Sequence, residues 1–251
     1  MPPASSGYWR ASSEPRHSVV FAFPLLLLYE ILAAALSGQQ LGDVRNGADV
    51  LLKSVFWSLG GRYGVLGFSV LLFGAGAWLV WRDRRAHGQI RPALFAGMFL
   101  ESAVYAVLLG AVASTLTSLL LHGKLPLAAA VGGRATGVAS LALPTQLMVS
   151  LGAGIYEELL FRVLLVSGLA LVARAVLGLP NLASGVFAAV LGAVIFSLFH
   201  YVGRYGDEFT VRSFTFRAVA GLLFSALYLT RGFGITAWSH ALYDVLLSLW
   251  T

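Results

Sequence analysis

Three short clusters in the sequence carry side chains able to do chemistry. Gly154-Ile155-Tyr156-Glu157-Glu158-Leu159-Leu160-Phe161-Arg162 sets two adjacent carboxylates inside an apolar run. Phe196-Ser197-Leu198-Phe199-His200 ends a second run with a histidine. His240-Ala241-Leu242-Tyr243-Asp244 places a histidine and a carboxylate four residues apart in a third. On a helix Glu158 and Arg162 are i and i+4, so they share a face and can form an ion pair. Glu157 is turned about 100° from Glu158 at 3.6 residues per turn, and it lacks that partner. One carboxylate therefore reads as structural and the other as free, and a free buried carboxylate suits a general base. A glutamate with two histidines also suits zinc, although the sequence has no H-E-x-x-H helix. The metal-free alternative is a water held between a glutamate and a histidine. The glutamate, acting as base, delivers that water to a carbonyl, and the second histidine, with the aspartate beside it, stabilises the oxyanion.

The surroundings of these clusters follow from composition. Of the 251 residues 58% are hydrophobic and 11% charged, and the mean hydropathy is +0.82. Soluble domains are about 45–50% apolar and about 25% charged, so the composition argues against a soluble domain, and a disordered chain is excluded. The absence of cysteine excludes disulfide frameworks, zinc ribbons, iron–sulfur clusters and thiol nucleophiles. The net charge of +6 is scattered, with no basic block that suggests nucleic acid. Apolar runs at 18–36, 64–81, 92–121, 144–172, 182–201, 214–229 and 234–250 are each long enough to approach the roughly 20 residues of a membrane span. The expected architecture is all-α: a polytopic membrane bundle of about seven to eight transmembrane helices, forming one integral membrane domain over 1–251. Ionisable groups in such spans cost about 2.5–3.5 kcal/mol each, face the bundle interior and mark function.

Other segments are read as follows. Residues 1–17 are polar, and Pro2, Pro3 and Pro15 discourage a helix there. The run 18–36 is a retained span, because it is too long for a signal sequence and Gly38-Gln39-Gln40 is an unconvincing cleavage site. Residues 48–59 suit a short interfacial helix or a covered loop helix. The loops at 122–143 and 203–212 separate later spans. Arg82, Arg84, Arg85 and Arg91 form the strongest positive loop, which places that loop and the N-terminus in the cytoplasm. Glu30 and Glu101 read as core hydrogen-bond partners or as substrate-binding groups, and Arg217, deep in the sixth run, is a candidate partner for one of them.

Glu157-Glu158-x-x-x-Arg162, Phe196-x-x-x-His200 and His240-x-x-x-Asp244, in that order, resemble the three-motif pattern of the CAAX protease and bacteriocin-processing family. Its members are glutamic-type intramembrane endopeptidases related to the type II CAAX prenyl endopeptidase. The spacings are 43 residues from Glu157 to His200 and 40 more to His240, and the motif core covers 144–250. The resemblance implies a helical bundle of about eight spans with an internal cavity. It also implies that Glu157 is the catalytic glutamate, that His200 positions water, and that His240 and Asp244 form the oxyanion site. Glu158 and Arg162 match the supporting pair, and Phe196 belongs to the second motif. The third motif commonly ends in Asn. Asn donates a hydrogen bond freely, whereas Asp244 must be protonated to do so, or else it only orients His240.

The function so implied is endoproteolysis near a membrane-embedded or tethered, C-terminal segment, without metal or other cofactor. The partners are a peptide or membrane-anchored protein substrate and the lipid bilayer, with no nucleic acid. Arginine outnumbers lysine 15 to 2, and an Arg-rich chain without cysteine suits a bacterial inner (cytoplasmic) membrane. Two other readings compete. A proton-coupled transporter could use Glu30, Glu101, Glu157 and Asp244 as a relay, but no repeated halves are present. A non-catalytic scaffold or immunity protein of the same family would tolerate loss of Glu157. Rhomboid-like Leu182-Ala183-Ser184-Gly185 lacks the first glycine of that motif, and Tyr243-Asp244 lacks the G-x-G-D partner of the aspartyl class.

Overall fold

The computed structural model describes residues 7–37, 44–122, 141–203 and 206–250, and every regular element among them is a helix. The order is α1 (Tyr8–Ser13), α2 (Pro15–Leu36), α3 (Gly47–His87), α4 (Ala93–His122) and α5 (Leu143–Gly152). Helix α5 runs on through two π-helical stretches, Ala153–Glu157 and Leu159–Val166, into α6 (Ser167–Ala175). Helices α7 (Asn181–Phe199), α8 (Val211–Arg231) and α9 (Phe233–Trp250) follow. Helices α2, α3, α7, α8 and the Ala93–Leu121 part of α4 are long and apolar enough to cross a bilayer. Their outer faces explain the composition. Val70, Leu71 and Phe73 of α3, Leu100, Val104 and Val107 of α4, and Leu182 and Val186 of α7 are all exposed. A surface of that kind is stable in lipid, where each helix satisfies its own backbone polar groups. The protein is an integral membrane protein of the helical-bundle class. The Gly38-Gln39-Gln40 segment and most of the 122–143 loop lie outside the described residues.

Two sequence expectations change and one is met. Residues 8–13 are helical, and Pro15 starts α2 rather than preventing it, because at the first helical position its missing N–H costs nothing. The 48–59 segment forms the short helix expected there, which is the first arm of α3 and is set off from the second arm by a break. The helix breaks at Gly60 and Gly61, where Gly61 takes φ +56°, a conformation glycine adopts without strain. Phe56 and Phe68 would lie about 18 Å apart along a straight helix, yet their ring centroids are 5.0 Å apart, so the break folds the two arms together. The 144–172 span is not a regular α-helix, since its motif lies in wide π turns. Residue pattern does not encode a π segment, which arises where packing around a site displaces the regular ladder.

Interior ionisable groups tie the helices together. Glu30 accepts from Lys53 Nζ at 3.0 Å, from Arg45 Nη2 at 3.2 Å and from the Tyr156 hydroxyl at 2.7 Å. Glu101 takes two bonds from Arg231, at 2.5 and 2.9 Å, and one from Tyr8 at 2.6 Å. Arg217 pairs with Asp207 instead of with either glutamate. Sequence spacing does not select these partners: Arg231 is 130 residues from Glu101, and Arg45 and Asp207, 15 and 10 residues from Glu30 and Arg217, lie beyond any one-turn relation on a shared helix.

The same contacts define two ends of the bundle. Arg231 also donates to the Trp9 carbonyl and the Ser12 hydroxyl, Gly234 N–H donates to Ser18, and Arg16 pairs with Asp83 at 2.9 Å. Helix α1, the start of α2, the end of α3, the start of α4 and the α8–α9 turn therefore share one end. Ser197 donates to the Phe214 carbonyl, and 17 residues of α8, about 26 Å of helix, separate Phe214 from Arg231. His200 thus belongs to the opposite end.

Candidate active site

Two glycines let the motif rod approach its neighbours. A Cβ on Gly154 would lie 2.4 Å from the Ala237 carbonyl oxygen and 2.6 Å from Ala241 Cβ, and one on Gly152 would lie 2.6 Å from the Tyr29 ring. Helix α9 therefore packs directly on one side of the rod and α2 on another. The buried cluster of Leu25, Tyr29, Met148, Ile155, Tyr156 and Ala241 fills the space between them. Close packing here brings His240 to Glu158 and Asn46 to Glu157.

Glu158 is fully buried and bridges two groups. Its Oε1 accepts from His240 Nδ1 at 2.6 Å, and its Oε2 lies 3.1 Å from Arg162 Nε. The second contact is a charge pair without an aligned hydrogen bond. Arg162 Nη2 reaches the Gly221 carbonyl at 3.5 Å, and the guanidinium lies 4.5 Å from the Phe196 ring centroid and 5.5 Å from that of Phe224. The expected Glu158–Arg162 pair is present, and Glu158 also holds His240. Phe224 stacks on the His240 ring at 4.6 Å. Phe196 meets Phe161 edge-on at 5.1 Å and His200 at 4.8 Å, so it fixes the His200 ring as well as the arginine.

Glu157 is buried but not partnerless, contrary to expectation: Oε1 accepts from Asn46 Nδ2 at 2.8 Å. Oε2 has no hydrogen bond and lies 3.8 Å from His200 Nε2, too far for a direct bond. His200 Nδ1 is 2.9 Å from the Phe196 carbonyl. A carbonyl only accepts, so Nδ1 carries the hydrogen, and in the neutral ring Nε2 is an acceptor. Two acceptors facing each other at this separation suit one water that donates to both.

Glu157, Phe196, His200 and His240 line one cavity of about 150 Å³, together with Arg217, Tyr243 and Asp244. His240 Nδ1–H points to Glu158, so Nε2 is left for the cavity, 3.7 Å from Asp244 Oδ2. A ring between two carboxylates can carry protons on both nitrogens and present Nε2–H to a ligand. The side chain of Asp244 is 29% exposed against 6% for His240, so the cavity opens toward the Asp244 end of α9. The structure thus gathers Glu157, Glu158, Arg162, Phe196, His200, His240 and Asp244 from three parts of the chain. Among the described residues no three His, Asp or Glu side chains converge as a metal-ligand set. Asn46, Arg217 and Tyr243 were not anticipated as part of this site. Asn46-Gly47 before an apolar run is a helix-start signal, but nothing in it points to Glu157.

No curated protein and no solved structure matches the chain. Residues 139–246 match the family model described as Type II CAAX prenyl endopeptidase Rce1-like. The matched segment contains all three motif clusters and the helices that build the cavity, and over it the chain is similar to that family of CAAX-type endopeptidases.

Proposed function

We propose that this protein hydrolyses a peptide bond near a membrane-embedded or membrane-tethered segment of another protein, by a glutamic-type mechanism. The observation that carries this reading is the pair of acceptors, Glu157 Oε2 and His200 Nε2, facing each other at 3.8 Å. A water between them donates one hydrogen to each. Glu157 takes a proton as the water oxygen attacks the substrate carbonyl carbon, and His240 Nε2–H donates to the developing oxyanion. When the C–N bond breaks, Glu157 returns the proton to the leaving nitrogen, which yields one amine and one carboxylic acid. Asp244 orients His240 from the cavity side. Glu158 and Arg162 hold the rod and α9 in register, and Phe196 holds His200. The partners are a peptide or membrane-anchored protein substrate and the surrounding bilayer.

The experiment compares protein termini in membranes from cells carrying wild type or Glu157→Gln at equal abundance. New uncleaved species in the variant are expected, and they name the substrate. Identical termini under several growth conditions would instead favour a non-catalytic scaffold or a transporter.

We further propose a bacterial inner (cytoplasmic) membrane with the N-terminus inside. Arg82, Arg84 and Arg85 are exposed beside that terminus, as the positive-inside tendency requires. The cavity mouth then opens on the outer face, and the substrates are exported proteins whose cleavage junction emerges on that side. Because the chain has no cysteine, single replacements report the orientation directly. An impermeant maleimide is expected to label Glu208→Cys in intact cells and Arg85→Cys only after permeabilisation. The reverse pattern would overturn this assignment.

A further inference from the structure

Asn46 stands outside the three motifs and 111 residues before Glu157 in the chain. It is only 2% exposed. Its amide is held from both sides. Oδ1 accepts from Ala48 N–H at 2.9 Å, capping the start of α3, and Nδ2 donates to Glu157 Oε1 at 2.8 Å. A flipped amide would set an N–H₂ against an N–H and a carbonyl against a carboxylate, so only one orientation satisfies both neighbours. The residue is itself anchored. Its backbone N–H donates to the Tyr29 hydroxyl at 3.4 Å, and that hydroxyl donates to Asp49 at 2.7 Å. Asp49 is held in turn by Arg45 at 2.7 Å and Lys53 at 2.6 Å.

We infer that Asn46 is a positioning residue for the Glu157 carboxylate: it occupies Oε1 and turns the unbonded Oε2 toward His200, so that one oxygen alone takes the proton from water. This rests on the reading of Glu157 as the base. The charged network of α2 and α3, which the motifs do not include, thus acts on the site through one amide. The helix cap and the grip on the carboxylate are made by opposite ends of the same side chain, so substitution can separate them. Ser and Asp cap helices about as well as Asn. Ser cannot reach or donate as the amide does, and Asp sets an acceptor against an acceptor.

The test uses the purified full chain in detergent micelles, with a synthetic peptide that spans the junction found by the terminus comparison, and Glu157→Gln as control. Asn46→Ser is expected to keep the wild-type melting temperature and KM while kcat falls about 10- to 100-fold, the loss of one hydrogen bond to a charged group. Asn46→Asp is expected to fall further. A wild-type kcat in Asn46→Ser, with Glu157→Gln inactive, would overturn the inference and leave the proposed function standing. Equal losses of melting temperature and kcat in both variants would overturn it too, since Asn46 would then serve the fold alone. Activity in Glu157→Gln would instead remove the underlying reading.

Discussion

Replacing Glu157 by Gln is expected to lower the hydrolytic rate constant by about 10²- to 10⁴-fold, the range over which a positioned general base contributes. The substitution keeps shape and an oxygen acceptor. Asn46 Nδ2 can still donate to that oxygen, so the contact at 2.8 Å survives. What changes is the group facing His200. The unbonded Oε2 becomes an amide N–H₂, which donates where a base must accept. A water placed opposite it can no longer be deprotonated from that side. The melting temperature is expected to stay near wild type, because neither Arg162 nor His240 loses its partner: both are held by Glu158. His200→Ala is expected to act in the same direction, since it removes the second acceptor of the same water. Cleavage of the junction peptide at the wild-type rate by purified Glu157→Gln protein would show that the hydrolytic base lies elsewhere.

The second large effect concerns stability. Arg162 and Glu158 are 1% and 0% exposed, and removing one member of a buried ion pair costs about 3–5 kcal/mol, because the other charge is left without compensation. Arg162→Met is therefore expected to lower the melting temperature in detergent markedly. Met retains much of the side-chain volume beneath Phe196 and Phe224, so the loss reports mainly on charge. Adding Glu158→Gln to Arg162→Met is expected to restore most of it. The neutral amide needs no counter-charge, and its oxygen still accepts from His240 Nδ1–H. If the double variant is no more stable than Arg162→Met alone, cation–ring packing rather than charge pairing holds the rod. Unchanged melting of Arg162→Met would exclude both accounts.

Much of the molecule is legible in the residues themselves. Apolar run length determines where helices can cross a bilayer, because a span without internal hydrogen bonding is too costly in lipid. The runs at 92–121 and 182–201 correspond closely to α4 and α7. The i to i+4 spacing of Glu158 and Arg162 determines their pairing, since that relation is local to one helix. The order and spacing of the three motifs carry the resemblance that the family model also finds over residues 139–246. Gly152 and Gly154 announce close helix approach, as the 2.4 Å clearance at Gly154 bears out.

Other features depend on which distant segments meet, and local pattern carries no record of that. Glu157 reads as partnerless until α3 begins beside it and Asn46 arrives with its amide already oriented by the cap. Glu158 reads as the partner of Arg162 alone until α9 packs on Gly154 and brings His240 within 2.6 Å. Glu30, Glu101 and Arg217 have partners 15, 130 and 10 residues away among Arg45, Arg231 and Asp207, and only the bundle decides among them. The sequence by itself determined the helical membrane class, the motif residues and the local ion pair, because these follow from hydropathy and helix periodicity. The tertiary structure decided the π turns, the bridging role of Glu158 and the free oxygen of Glu157. Those depend on the distances between helices, which packing sets and no periodicity encodes.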